Sequence, residues 1–175
     1  VSAEWLEDNL KKKQSKADGS YQKFLAKHLN VEIGMNLRSD RWAGADFWED
    51  AGDPAVTLDA LLQRCEVAVI GIDGGGLDDL LGLAVIGRET GTRQWLHWCH
   101  AWAHKIALER RKEIAPRLRD FEREGTLTIV DRPGDDVAQV VEHIVKVRDA
   151  GLLPGKDSIG VDAAGIGSIV EVLTA

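Results

Sequence analysis

The chain has 175 residues, 44% of them hydrophobic, which suits one domain with a real core and some additional chain. Its longest uncharged apolar runs are far shorter than a bilayer span, so the sequence predicts no transmembrane helix. The net charge of −7 counts against a free-standing non-specific DNA-binding protein, which would usually be basic. A metal-dependent nuclease, in contrast, concentrates carboxylates, and its bound cations reverse the local field. The two cysteines, Cys65 and Cys99, form no disulfide framework, and a reducing cytosol is their natural compartment.

The first part of the chain, residues 1–64, is predicted to be an arm or linker that packs onto a domain rather than a domain of its own. It mixes charged helical stretches with isolated aromatic residues. A short helix is predicted from Thr57 to Arg64, with Thr57 as its N-cap. The apolar stripe of this helix is formed by Leu58, Leu61 and Leu62.

A meander of three strands is predicted to follow. Residues 67–72 are an almost continuous apolar run, as expected of a central buried strand, and the run ends at Asp73. A second apolar run, residues 80–86, begins so soon afterwards that the two strands are expected to be antiparallel. After a turn at Gly91, residues 94–102 have the aromatic-rich pattern of a third strand.

Alternating helices and strands are predicted for the remainder of the chain. The predicted elements are, in order, a charged helix over residues 104–124 that Pro116 interrupts, a strand over residues 127–130, a helix from Asp135 or Asp136 to Gly151, a strand over residues 158–161 that ends at Asp162, and a helix from Gly165 onwards. Three antiparallel strands followed by alternating helix–strand units open the ribonuclease H-like fold. The sequence therefore predicts an α/β domain over residues 65–175, with a ribonuclease H-like mixed sheet flanked by helices.

Two aspartates occupy matching places in this pattern. Asp73 and Asp162 each follow an apolar strand directly, and each precedes glycine or alanine. Ligands of open α/β sheets bind outside the carboxyl ends of the strands, so neighbouring strands would bring both carboxylates to one edge. Mg²⁺ and Mn²⁺ prefer such oxygen ligands, and a two-metal site can activate water and stabilise the leaving oxygen of a phosphodiester. The pattern thus favours Asp73 and Asp162 as metal-binding, catalytic carboxylates.

A purely structural role for these aspartates stays open, because Asp is common in turns. Asp73 would then cap a hairpin turn, and Asp162 would cap the helix that follows it. Asp78 and Asp79, which lie in the first hairpin, are interpreted as turn residues rather than as ligands.

Other chemistry-bearing residues give weaker patterns. Four potential zinc ligands surround the third strand, namely His97, Cys99, His100 and His104. Their spacing matches no strong zinc pattern, because His97 and Cys99 would share one strand face while His100 takes the other. The basic residues of the helix over residues 105–123 are interleaved with acids, which favours a solvated, salt-bridged face over a DNA-binding one. No G-x-x-x-x-G-K-[ST] loop is present, so the chain carries no P-loop ATPase.

Short motifs over residues 20–175 resemble phage terminase large subunits in their order and spacing. Residues 24–30 look like the segment that links the motor to the nuclease in that family, and residues 70–73 are similar to the family's first nuclease strand. Further similarities are the aromatic-x-x-x-Gly-x-Leu turn at residues 121–127, the Pro-Gly helix entry at residues 132–135, and the strand bearing the second acid at residues 159–162.

This resemblance implies a metal-dependent DNA endonuclease domain that cuts concatemeric viral DNA into genome lengths in the cytoplasm of the bacterial host. Asp73 and Asp162 would bind Mg²⁺ or Mn²⁺, and a third acidic ligand is expected beyond residue 175. The domain over residues 65–175 is therefore expected to be C-terminally incomplete and to cut DNA poorly. The implied partners are double-stranded DNA, the terminase ATPase domain, the small terminase subunit and the portal, with no membrane partner.

A rival resemblance is to the sugar-kinase and actin-like ATPase superfamily, which shares the same core fold. Residues 72–76 look like its phosphate loop, and residues 162–165 imitate its second phosphate loop. Such kinases usually follow Gly-Gly with Thr and a nearby Lys or Arg, whereas the acidic residues 77–79 found here would repel ATP phosphates. A catalytically inactive module that binds DNA or protein is the third alternative.

Overall fold

A five-stranded mixed sheet organises the larger of two compact units, Val1–Asp53 and Pro54–Ala175. The structure is a computed structural model and describes residues 2–14, 20–29, 43–161 and 171. The strands are β1 (Cys65–Gly74), β2 (Leu80–Glu89), β3 (Trp95–His104), β4 (Leu127–Val130) and β5 (Ile159–Val161). The helices are α1 (Ala3–Gln14), α2 (Ser20–Leu29), α3 (Leu58–Arg64), α4 (Lys105–Arg110), α5 (Ala115–Glu124) and α6 (Asp135–Asp149).

The first unit contains α1, α2 and a 3-10 helix at Ala43–Phe47. Three aromatic rings hold α1 and α2 together. Trp5 contacts Phe24 and His28 at centroid distances of 6.2 and 5.4 Å, and Phe24 lies 4.7 Å from His28. Phe24 is buried in this contact. The helical spacing of these residues thus produces a small helical pair with its own apolar contact.

Strand order in the sheet is β4-β3-β2-β1-β5. The predicted meander is present, because β1 pairs antiparallel with β2, and β2 pairs antiparallel with β3. The two later strands add at opposite edges, where β4 pairs parallel with β3 and β5 pairs parallel with β1. The chain therefore has the predicted α/β class, with a five-stranded mixed sheet flanked by helices.

The main core lies between one face of the sheet and helices α3 and α6. Alternate residues of the strands point into it, and Val85 and Trp102 are almost fully buried there. The helices supply Leu58, Leu61, Val140, Ile144 and Val147 to this core. Thr57 is the N-cap of α3, as predicted, and its hydroxyl accepts a hydrogen bond from the Ala60 amide at 3.1 Å.

Helix α3 belongs to this core, although its place in the sequence predicted that it would end the arm, residues 1–64. The structure divides the chain after Asp53, ahead of α3. The physical reason is the apolar stripe of α3, because Leu61 is fully buried against the sheet. None of the helices in the described part of the chain is both long and apolar enough to cross a lipid bilayer.

A smaller core occupies part of the opposite sheet face. Ala103 of β3, Leu118 of α5 and Leu127 of β4 form its buried centre. Pro116 stands in the first turn of α5, so the charged helical pattern over residues 104–124 is divided into α4 and α5, as predicted. Helix α5 ends at Gly125, which adopts a left-handed conformation with φ of 78°. This helix covers the sheet near β3 and β4 and does not extend over β1, β2 and β5.

Candidate active site at the ends of β1 and β5

Asp73 lies at the carboxyl end of the central strand β1, with its side chain exposed. Its neighbours Ile70 and Ile72 alternate with it along the strand, so Ile72 points into the main core while Asp73 points to the opposite face. Asp73 pairs with Gly82 of β2, which has no side chain to cover the carboxylate. The alternation that buries the isoleucines therefore delivers the carboxylate to the open face of the sheet.

The turn after Asp73 requires glycine. Gly74, Gly75 and Gly76 all have positive φ, at 79°, 117° and 118°. A Cβ atom on Gly74 would collide with the carbonyl oxygen of Leu80, and the same oxygen accepts a hydrogen bond from the Gly75 amide at 2.9 Å. The glycines thus let the chain turn sharply at the end of β1, close to its partner strand.

Strand β5 runs parallel to β1 at the same edge of the sheet. The register pairs Ile70 with Ile159, Gly71 with Gly160, and Ile72 with Val161. Asp73 follows Ile72 and Asp162 follows Val161 in the sequence. The predicted adjacency of the two apolar runs is therefore found, whereas Asp162 lies outside the described residues. The distance between the two carboxylates stays a prediction.

An open groove of about 710 Å³ runs over this face of the sheet and reaches Asp73. Small residues make most of its floor. They include Gly71, Gly82, Ala84, Ala101 and Gly160. Asp73 is the one carboxylate among the described residues that line the groove, and these residues include no lysine or arginine. The groove thus combines close access to the sheet backbone with a single negative group at its end.

Asp78 and Asp79 do not join Asp73 in the groove. The Asp79 carboxylate accepts a hydrogen bond from the Leu80 amide at 2.9 Å, which closes the turn. Asp78 forms an ion pair with Arg110 at 3.3 Å, and Asp79 forms one with Arg111 at 3.9 Å. These partners support the interpretation of both aspartates as turn residues.

The zinc pattern around β3 is also absent from the structure. Among the described residues, no group of three or more His, Cys, Asp or Glu side chains is arranged to hold a metal ion. His104 is buried and caps α4, where its Nδ1 accepts a hydrogen bond from the Ile106 amide at 3.2 Å. His100 forms a hydrogen bond with the Thr128 hydroxyl at 2.9 Å. Both histidines therefore have structural partners.

A stack of aromatic rings lies between β3 and α6, and the sequence pattern did not predict it. Trp98 and His143 stack with centroids 5.4 Å apart, and His100 meets Trp102 edge-on at 4.7 Å. Burial, and then repulsion by His143, holds the pKa of His100 below its ordinary value. The period-2 spacing of residues 98, 100 and 102 is a visible sign that they share one strand face, but it does not reveal their partner on α6.

Comparison with known proteins gives little assignment. No protein-family model matches the chain, and no curated protein matches it. Among solved structures, the chain is similar to the crystal structure of the HK97 bacteriophage large terminase, with 17% sequence identity and a TM-score of 0.39. The match covers 97% of this chain and 48% of the terminase chain, so this chain spans about half the length of that protein. At this TM-score the similarity assigns neither a fold family nor a function.

Proposed function

We propose that this chain is a divalent-metal-dependent DNA endonuclease domain of the terminase large subunit type, with Asp73 and Asp162 as its metal-binding, catalytic carboxylates. The observation that carries the proposal is the parallel register of β1 and β5. It pairs Ile72 with Val161, and each of these residues is followed by an aspartate. Adjacent strands lie about 4.8 Å apart, so pairing continued by one residue would bring the two carboxylates within reach of one metal site.

The surroundings of Asp73 suit Mg²⁺ or Mn²⁺. Its carboxylate is exposed at the end of the groove, and the described groove residues bring no basic side chain to neutralise it. Oxygen ligands from one or two carboxylates, completed by waters and substrate phosphates, are the usual environment of Mg²⁺. A bound metal pair would activate water and stabilise the leaving oxygen of the phosphodiester.

The chain's own residues would position the DNA rather than transfer protons. Gly71, Gly82 and Gly160 leave the sheet backbone open beside Asp73, so a sugar–phosphate chain can approach it closely. The ribonuclease H-like assignment is part of the proposal, supported by the meander and by the parallel strand at its β1 edge. The sequence resemblance adds the proposed partners, which are double-stranded DNA, the terminase ATPase domain, the small terminase subunit and the portal.

Calorimetric titration with Mn²⁺ tests the site. Asp73→Asn and Asp162→Asn should each weaken Mn²⁺ binding by at least about tenfold, equivalent to ~1.4 kcal/mol, and should leave the fold intact. Without metal, each substitution should be neutral or slightly stabilising, because it relieves carboxylate repulsion. Asp120→Asn is the control, since it removes an exposed carboxylate of α5 that is paired with Arg123. Unchanged Mn²⁺ affinity in both site variants would refute the assignment.

A plasmid-nicking assay tests the activity. It compares residues 1–175, a polypeptide extended past residue 175, and the extended Asp73→Ala variant, because the resemblance places a third acid in the extension. The extended protein should nick DNA with Mn²⁺ or Mg²⁺, and Asp73→Ala should abolish nicking. No nicking by a folded, metal-loaded extended protein, together with protection of the fold by ATP, would instead favour the kinase-like alternative.

A further inference from the structure

Two consecutive aspartates of the β1–β2 turn face two consecutive arginines at the end of α4. Asp78 pairs with Arg110 at 3.3 Å, and Asp79 pairs with Arg111 at 3.9 Å. We call these two ion pairs the turn latch. Arg110 is the last residue of α4 and Arg111 is its C-cap.

Apolar packing explains why the turn latch forms. Leu80, at the start of β2, lies in the same apolar cluster as Leu108 of α4 and Ile114, which precedes α5. The smaller core therefore holds the end of α4 against the turn that follows Asp73.

Both pairs of the turn latch are loose and wet. Charge-assisted hydrogen bonds from arginine to carboxylate usually measure about 2.7–2.9 Å, so both distances here are long. The four side chains are between 44% and 60% exposed. Exposed ion pairs of this kind contribute little to stability, and a stronger anion can replace the carboxylates. The turn that carries the aspartates begins at Gly74, Gly75 and Gly76, whose lack of side chains leaves the backbone free to adjust.

We propose that the turn latch is an exchangeable DNA-binding element, in which Asp78 and Asp79 occupy Arg110 and Arg111 until phosphates of the DNA backbone replace them. This inference rests on the proposed function, since it places a polyanion beside Asp73. Guanidinium groups bind carboxylate and phosphate through the same planar donors, so the aspartates stand in for two phosphates. The groove itself offers no basic side chain among its described residues, and the net charge is −7. Arg110 and Arg111 then supply local attraction that the groove lacks.

Neutralising the turn aspartates tests the exchange. Asp78→Asn/Asp79→Asn keeps a side-chain oxygen that can still accept from the Leu80 amide, so the turn should fold normally. Binding of a labelled duplex of about 30 base pairs is measured by fluorescence anisotropy, with EDTA present so that neither metal nor cleavage contributes. The variant should bind at least about tenfold more tightly than the wild type at roughly 50 mM salt. Its plot of log K against log salt should steepen by roughly 2, at about 0.9 for each phosphate gained.

The matched control is Asp120→Asn/Asp149→Asn. It changes the net charge by the same two units and frees Arg123 and Arg148 from pairs of 3.0 and 2.9 Å with similarly exposed carboxylates. This control should bind within about threefold of the wild type, and adding Arg110→Gln/Arg111→Gln to the turn variant should remove its gain. An equal gain in the control, or a gain that survives removal of the arginines, would overturn the latch.

The two proposals fail in different measurements. Loss of the nuclease proposal would appear as unchanged Mn²⁺ affinity in the Asp73 and Asp162 variants, and the EDTA binding comparison does not depend on that result. Circular dichroism and the Tm of each variant check that the turn variants are folded. A folded turn variant that binds the duplex no more tightly than the wild type contradicts the latch even if Mn²⁺ binds at Asp73.

Discussion

At the scale of single residues, the turn after Asp73 separates two demands that glycine meets. One demand is conformational, because Gly74 has φ of 79°, where side chains other than glycine are disfavoured. The other is spatial, because a Cβ atom at Gly74 would collide with the Leu80 carbonyl oxygen. Gly91, in the turn between β2 and β3, has a similar φ of 86° but open space around it. The two positions therefore allow the demands to be measured apart.

Gly74→Ala should destabilise the protein more than Gly91→Ala. The positive φ alone should lower the free energy of unfolding by about 1–2 kcal/mol in Gly91→Ala. In Gly74→Ala the collision with Leu80 should add about 1–3 kcal/mol, because backbone must move to make room. Urea denaturation measures both variants. Equal losses would show that the turn relaxes freely around a Cβ atom.

Residue-scale features differ in how far the sequence could predict them. The exposure of Asp73 on the open face follows from the strand period, since Ile70 and Ile72 must be buried. The ion pairs of Asp78 and Asp79 could not be predicted, because their partners are 32 residues away in the case of Arg110 and reach the turn only through tertiary packing. Local patterns predict which way a side chain points, but not which distant charge it meets.

At the scale of elements, α6 is held on the sheet by a polar contact as well as by its apolar face. Trp102 is buried and donates its indole N–H to the Gln139 side-chain oxygen at 2.8 Å. His143, one turn later, donates from Nδ1 to the Gln139 carbonyl oxygen at 2.7 Å and stacks on Trp98. A buried donor without its acceptor is costly, so the indole and Gln139 should behave as a coupled pair.

A double-mutant cycle tests that coupling. Gln139→Leu should lower the free energy of unfolding by about 1–3 kcal/mol, because it leaves the indole N–H of Trp102 without a partner. Trp102→Phe should be less damaging in the Gln139→Leu background, with a coupling energy on the order of 1 kcal/mol. The same cycle on the exposed Arg119–Glu122 pair of α5 should give less than about 0.5 kcal/mol. Coupling no larger than in this control would contradict the role of the indole contact.

Helix α3 offers a test of a capping interaction that the sequence did predict. Thr57→Ala should lower the free energy of unfolding by about 1 kcal/mol, because the Ala60 amide loses its acceptor. Thr57→Ser keeps the hydroxyl and should retain most of the stability. Thermal or chemical denaturation of the two variants gives the comparison, and a serine variant as unstable as the alanine variant would show that the methyl group matters more than the cap.

The elements themselves were largely predictable, and their arrangement was only partly so. Apolar runs and turn residues predicted all five strands, and Pro116 and Gly125 predicted where helices would break or end. The short connection between β1 and β2 fixed an antiparallel pair. The positions of β4 and β5 at opposite edges of the sheet depend on long connections and on which helix covers which face, so no local pattern carried that information.

At the scale of the whole molecule, three groups set opposing limits on stability as the pH changes. Burial, and then repulsion by His143, lowers the pKa of His100 from 6.5, so the unfolded chain takes up this proton first and stability falls as the pH drops below that value. Hydrogen bonds from Thr92 and Arg64 lower the pKa of Glu89 from 4.5, so its contribution is lost at still lower pH, through the folded-state value.

The alkaline side is limited by the thiol of Cys65. Burial, and then the negative charge of Glu89, raises the pKa of this thiol above 9.0, so the unfolded chain loses the proton first and stability falls as the pH rises beyond that value. We therefore expect the highest Tm between about pH 7 and pH 9. His100→Gln should flatten the decline between about pH 7 and pH 5, and Cys65→Ala should flatten the decline above about pH 9, whatever each does to the absolute Tm. Calorimetric scans across this range compare the slopes, and variants with wild-type slopes would show that other groups control the pH dependence.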